Sequence, residues 1–166
     1  MKAVLIDFDR PGLLALIQDM YSAHSDTKAF LHTRFDLGGD ILKPYKKIIE
    51  RWLWPGMGQD VSIVKAKEAI SRYSKAVGSP SGLAERLVFY CECATGFCND
   101  VGYQENSYFN TLVRMFEQAL HTAAQLSPAE RSPLIARLDK VRAVGHNLGY
   151  GIDFYLDSLF AEYADQ

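Results

Sequence analysis

Over residues 83–101 the chain is apolar or small on two opposite faces of one helical pattern. Leu87, Tyr90, Cys91, Ala94, Phe97 and Cys98 fall on one side, and Phe89, Cys93 and Gly96 on the other. A helix that is apolar all round must be covered all round. The segment therefore predicts a central helix from about Leu83 to Val101, with the rest of the chain wrapped round it. A single domain of 166 residues can bury such a helix without disulfides or metals as staples.

The remaining pattern is helical almost throughout. Asp9 suits the cap of a first helix, with Pro11 in its first turn and Leu13, Leu14, Ile17, Met20 and Tyr21 as one stripe. Ser25 suits the cap of a second helix carrying Ala29, Phe30 and Phe35, broken by Gly38-Gly39. A third begins near Pro44 with Tyr45, Ile48, Ile49, Trp52 and Leu53 on its apolar face. Ser62 opens a fourth with Ile63, Ala66, Ile70, Tyr73 and Val77, stopped by Gly78. Ser79-Pro80-Ser81-Gly82 reads as a connection.

After Gly102, either Asn106 or Ser107 caps a sixth helix, lined by Phe109, Leu112, Val113, Phe116, Ala119, Leu120 and Ala123. Ser127-Pro128-Ala129-Glu130 combines a capping serine, a first-position proline and a capping-box glutamate. Leu134, Ile135, Leu138 and Val141 follow, then Gly145, Gly149 and Gly151 interrupt. A last helix carries Ile152, Tyr155, Leu156, Leu159, Phe160 and Tyr163. Only Val4-Leu5-Ile6, with Phe8, suggests extended chain, read as an extended arm or else as part of the first helix. The fold class is an all-α irregular bundle of seven or eight helices over residues 1–166. Short connections favour stacked antiparallel hairpins, with the residue 83–125 hairpin as core.

The net charge of −2 sets up no strong field toward nucleic acid or an anionic membrane. Residues 1–79 are net +3 and residues 80–166 net −5, so the basic half of one copy can meet the acidic half of another. The longest aliphatic run, Leu13–Ile17, is far too short to span a membrane, and the first residues lack a secretory pattern. Three clustered cysteines, an odd number, fit a reducing compartment, so the expected location is the cytoplasm.

Several motifs invite chemistry. Val4-Leu5-Ile6-Asp7-Phe8-Asp9 resembles the first motif of haloacid-dehalogenase-like phosphatases, whose paired carboxylates bind magnesium and attack phosphorus. That family needs a parallel sheet behind the motif, and its usual Gly-Thr is here Arg10-Pro11. The simpler expectation is a pair of acids at the positive end of a helix. Cys91 and Cys93 stand about 200° apart on a helix, too far round for one metal. With no adjoining lysine or histidine, these cysteines read as core.

The candidate binding residues concentrate near the end of the chain. His146, Asn147, Tyr150, Asp153 and Asp157 lie within twelve positions. On a continuous helix Asp153 and Asp157 share a face with Tyr150 and His146, a set that can bind a divalent metal or run acid–base chemistry. Asn99 and Asp100, with Tyr103, close the central helix and can contribute to a pocket. A basic, aromatic stretch offers Lys43, Lys46, Lys47 and Arg51, with Lys65, Lys67, Arg72 and Lys75, among Tyr45, Trp52, Trp54 and Tyr73. That composition is used for nucleic acid, although no named reader motif is present.

The blocks Lys28–Phe35, Leu42–Ile49, Phe97–Gly102 and Tyr108–Asn110, with Gly149-Tyr150-Gly151 and Asp153, resemble an uncharacterised bacterial all-helical family catalogued only as a domain of unknown function. The resemblance implies a small helical bacterial protein and brings no activity, cofactor or catalytic residues. No cofactor motif and no complete catalytic or metal-ligand set emerges from the residues themselves. The leading expectation is a non-enzymatic module for a protein partner or a second copy. An enzyme centred on His146, Asp153 and Asp157 comes second, and nucleic-acid binding through residues 43–75 third.

Overall fold

The computed structural model describes residues 5–35, 42–76 and 78–163. Among them are eight helices and no strand: α1 Arg10–Ala23, α2 Ser25–Phe35, α3 Lys43–Leu53, α4 Ile63–Ala76, α5 Pro80–Val101, α6 Asn106–Ala124, α7 Pro128–Gly145 and α8 Ile152–Tyr163. The all-α expectation holds. No helix among the described residues is long and apolar enough to cross a membrane.

Helix α5 is the hub. It packs against α3, α4, α6 and α7, and its contact with α6 is the most extensive in the molecule. Leu87, Val88, Tyr90, Cys91 and Ala94 are almost fully buried, and Cys93 and Phe97 nearly so. Each large apolar side chain removed from water in this way contributes about 1.5–3 kcal/mol. The cysteines are unpaired and buried. Burial pushes the thiols of Cys93 and Cys98 up to about 12, which makes them inert core residues.

The start of α5 departs from expectation. Residues 79–82 are not a connection, because the helix begins at Pro80. Ser79 caps it, its hydroxyl oxygen accepting from the Gly82 N–H at 3.4 Å, and proline occupies the first turn. Gly82 is tolerated inside the helix because the Tyr73 hydroxyl presses against it where a Cβ would stand. At the other end Gly102 takes φ +70° and donates its N–H to the Cys98 carbonyl at 2.9 Å, closing the helix.

Other ends match in part. Asp9 caps α1 by accepting from the Gly12 N–H at 2.8 Å. Glu105, rather than Asn106 or Ser107, stands at the cap of α6, and its carboxylate accepts from the Ser107 hydroxyl. At α7, Ser127 donates to the Glu130 carboxylate at 2.6 Å and makes no side-chain bond to the helix backbone. At the chain start, residues 5–7 form a helical turn rather than an extended arm, and Asp9 serves as a helix cap with no sheet behind it. Val4, Gly38, Gly39 and Val77, and the side chains of Ser25 and Ala29, lie outside the described residues.

The α1–α2 hairpin sits apart from the core. No residue of 5–35 belongs to the buried cluster, and α1 has no buried residue. Tyr21 and His32 hold the pair together, their rings stacked at 5.7 Å and the Tyr21 hydroxyl and His32 Nε2 hydrogen-bonded at 2.7 Å.

A half-buried charge network ties three helices. Glu85 of α5 accepts from Lys46 Nζ of α3 at 2.7 Å and from Arg137 Nη1 of α7 at 2.5 Å. Arg137 also grips Glu92 through two hydrogen bonds, at 2.7 and 2.6 Å. Burial pushes the Glu85 carboxyl up, but Lys46 and Arg137 outweigh it and hold the carboxyl below its ordinary 4.5. A carboxylate lowered on folding stabilises above its unfolded value and loses that contribution as pH falls through its folded one. Glu85→Gln should therefore flatten the stability loss below pH 4.5 in urea melts, while lowering stability at pH 7.

Candidate functional site

The C-terminal region is shaped by one chain reversal. Helix α7 stops at Gly145, where a Cβ would stand 2.7 Å from Leu156 Cδ1, so glycine lets α8 approach closely. Residues Gly149, Tyr150 and Gly151 then adopt φ +73°, +57° and +72° in succession, and α8 starts at Ile152. Glycine takes this left-handed conformation without penalty. Tyr150 is the one non-glycine residue with positive φ among the described residues. A side chain there costs about 1–2 kcal/mol.

The reversal removes the premise that put His146, Tyr150, Asp153 and Asp157 on one continuous helix. His146 and Asp157 do meet, across the turn, with Nε2 and Oδ1 3.2 Å apart. The same Oδ1 accepts from Arg142 Nη1 at 2.9 Å, and Arg142 also binds Asp139 Oδ1 at 2.8 Å. Arg142, with help from His146, holds the Asp157 carboxyl below its usual range. The Arg142 guanidinium thus shares the Asp157 carboxylate with His146. Asp153, in the first turn of α8, does not complete a ligand set with this pair. No three His, Cys, Asp or Glu side chains converge as metal ligands among the described residues. The cluster clamps α8 to α7.

Asn147 is exposed in the turn. Asn99 and Asp100 are exposed at the end of α5, where the Asn99 amide donates to Asp100 Oδ1 at 2.9 Å. They lie outside the cleft that does form here, which runs between α6 and the Tyr150–Tyr155 segment and has a volume of about 440 Å³. Its apolar lining is Phe109, Val113 and Ile152, with the rings of Tyr150 and Tyr155; Asn106, Asn110 and Arg114 supply the polar groups. Tyr150 stands 5.4 Å from the Phe109 ring, and its hydroxyl donates to Gln104 at 3.4 Å. Of the expected binding residues, only Tyr150 belongs to this cleft. Asn110 and Arg114 carry no expectation from the sequence, which makes Asn106 a cap candidate and Phe109 and Val113 core lining, although Asn106, Asn110 and Arg114 recur every four positions on one continuous helical face.

The basic stretch of α3 and α4 divides between structure and solvent. Tyr45 and Tyr73 are buried, ring edge to face at 5.4 Å, so neither can stack on a base. Trp52 is covered by Arg51 and Lys65, 4.5 and 3.8 Å from its ring centre. Lys46 is engaged by Glu85 and lies 5.2 Å from the Phe89 ring. Lys43, Lys47 and Arg51 are exposed.

A residue the sequence reading passed over is Arg86. It is fully buried between Tyr45 and Tyr73 and donates to the Gly82 carbonyl, leaving Nε and Nη1 without a hydrogen-bond partner. Burial pulls its guanidinium down to about 10, against the opposing effect of the two tyrosines.

Comparison with protein-family models, curated proteins and solved structures gives no match.

The two neighbouring lysines separate structure from surface. Lys46→Ala should cost about 1 kcal/mol in urea unfolding, because it strips Glu85 of a half-buried partner and exposes Phe89. Lys47→Ala, on the open face, should stay within about 0.5 kcal/mol of wild type.

Proposed function

We propose that this chain is a non-enzymatic helical interaction module that pairs with a second copy of itself through α1. One observation carries the reading. The stripe foreseen on α1 is present, but Leu14, Ile17 and Met20 remain 57%, 47% and 45% exposed. Monomeric proteins scatter single apolar residues over their surfaces, but a row at helical spacing along one helix marks a contact surface.

The spacing favours a helix as the occupant. Arg10, Leu14, Ile17, Met20 and His24 are exposed and follow one another at steps of three or four, the spacing at which two helices interlock. Within α1 the only charged residue on this line is Arg10, at the start of the helix. The last turn of α1 has no basic residue to offset its carbonyls. In an antiparallel symmetric pair, Arg10 of each copy lies beside the last turn of the other and supplies that charge. The exposed Phe8 and Ile6 extend the same end of the hairpin. Three unpaired buried cysteines accord with the cytoplasmic setting that goes with this reading.

Sedimentation equilibrium should show a monomer–dimer equilibrium with Kd in the micromolar range, roughly −8 kcal/mol. Ile17→Glu and Leu14→Glu should each weaken it by about tenfold or more, with helix content by circular dichroism unchanged because both side chains are exposed within one copy. A chain that stays monomeric at millimolar concentration overturns the proposal. So does a monomer whose α1 instead binds neutral lipid vesicles.

A further inference from the structure

We propose that the cleft between α6 and the Tyr150–Tyr155 segment binds a small planar organic anion, an aromatic or heteroaromatic ring bearing a carboxylate or phosphate. The site is separate from the α1 surface and does not depend on it.

Its dimensions and chemistry converge on that class. A volume of about 440 Å³ lies within the range of small-molecule sites and is too small for a folded partner. Phe109, Tyr150 and Tyr155 give the cleft aromatic walls, and Tyr150 is 63% exposed, so one face of its ring is open to stack on a ligand. Asn106 and Asn110 present amides that hydrogen-bond ring or hydroxyl edges. Both are exposed and make no side-chain hydrogen bond among the described residues.

Arg114 is the one charged residue lining the cleft, and no carboxylate lines it. Arg137 and Arg142 are both held by acids, whereas Arg114, like Arg131 and Lys140, has no ion pair among the described residues, and of these three only Arg114 lines the cleft. Residues 80–166 carry eleven acids against six bases, so Arg114 is no part of a basic surface; it is the positive group that the cleft itself offers to an anion. Asn106, Asn110 and Arg114 follow one another along α6 and leave the anion end of the ligand at Arg114, with its ring toward Tyr150.

The backbone at Tyr150 supplies an independent observation. Its neighbours Gly149 and Gly151 take the same left-handed conformation as glycines, and a third glycine would make the turn with less strain. What tyrosine adds at that position is the ring on the cleft wall. If the ring serves binding, Tyr150→Gly removes the site without weakening the fold.

The test is calorimetric titration of the full chain with adenosine monophosphate and with indole-3-acetate, each against its halves, namely adenosine and inorganic phosphate for the first and indole and acetate for the second. The expected result is submillimolar binding of at least one ring-bearing anion and binding of the halves weaker by about tenfold or more. Adenosine monophosphate binding identifies the phosphate source, and indole-3-acetate binding the carboxylate. Arg114→Gln and Tyr150→Gly should each reduce affinity by about tenfold, and Tyr150→Gly should melt no lower than wild type. The proposal is overturned if neither ring-bearing anion binds below about 1 mM, if phosphate alone binds as tightly, or if affinity survives both substitutions.

Discussion

Burying α5 on every side is the constraint from which the rest of the molecule follows. Leu87, Val88, Cys91 and Ala94 are shielded by helices arriving from before and after it in sequence, α3 and α4 on one side and α6 and α7 on the other. Such a helix has little stability of its own, because its apolar surface is useful only once the neighbours have docked. Its close contacts require small residues. Gly82 admits the Tyr73 hydroxyl, and Gly96 lies where a Cβ would stand 2.8 Å from the Trp54 ring. The aromatic cluster of Trp54, Phe97, Tyr103 and Tyr108 grows from that approach, and the Tyr108 hydroxyl donates to the Leu53 carbonyl at 3.1 Å. Two residues between helices, Trp54 and Tyr103, thereby pack on the hub through Phe97.

Around this hub the polar groups take two roles. Lys46, Glu85, Glu92 and Arg137 form a network whose members are half-buried and mutually satisfied, and it sets how α3 and α7 lie on α5. Asp139, Arg142, His146 and Asp157 do the same for α7 and α8 nearer the solvent. Charges used in this way hold neighbouring helices together. What remains is more informative: the Arg114 guanidinium beside an aromatic-walled cleft, and the half-exposed apolar line of α1. The α1 line lies outside the buried core cluster, whereas the cleft is walled in part by Phe109 and Ile152 of that cluster.

Much of this was legible in the residues. The period of Leu87, Tyr90, Cys91, Ala94 and Phe97 marks a helix, and the small residues on its opposite face mark it as central. Tyr45, Ile49 and Leu53 are buried as their spacing requires. The boundary at Ser79-Pro80 was missed because serine, proline and glycine together resemble a turn, although Ser127-Pro128 has the same cap-and-proline logic and was read correctly. The candidate site was legible only in fragments. His146, Tyr150 and Asp157 are polar residues close in sequence, and a helical projection joins them. Three successive left-handed residues send the chain elsewhere, leaving His146 with Asp157 and turning Tyr150 toward Phe109, 41 positions earlier.

The sequence by itself determined which segments are helical and which of them forms the core, because period, caps and breakers act within a few residues. Only the tertiary structure decided which faces meet and which stay bare. Lys46 reaches Glu85 across 39 positions and Arg137 reaches Glu85 across 52, and Tyr150 closes on Gln104 across 46. Such pairings depend on the angles of every intervening turn, and a stripe such as that of α1 carries no local sign of whether a neighbour will cover it. The physical reason is range: helix formation is governed by hydrogen bonds four residues apart, whereas the cleft and the uncovered stripe are properties of helices brought together, or left apart, by the whole chain.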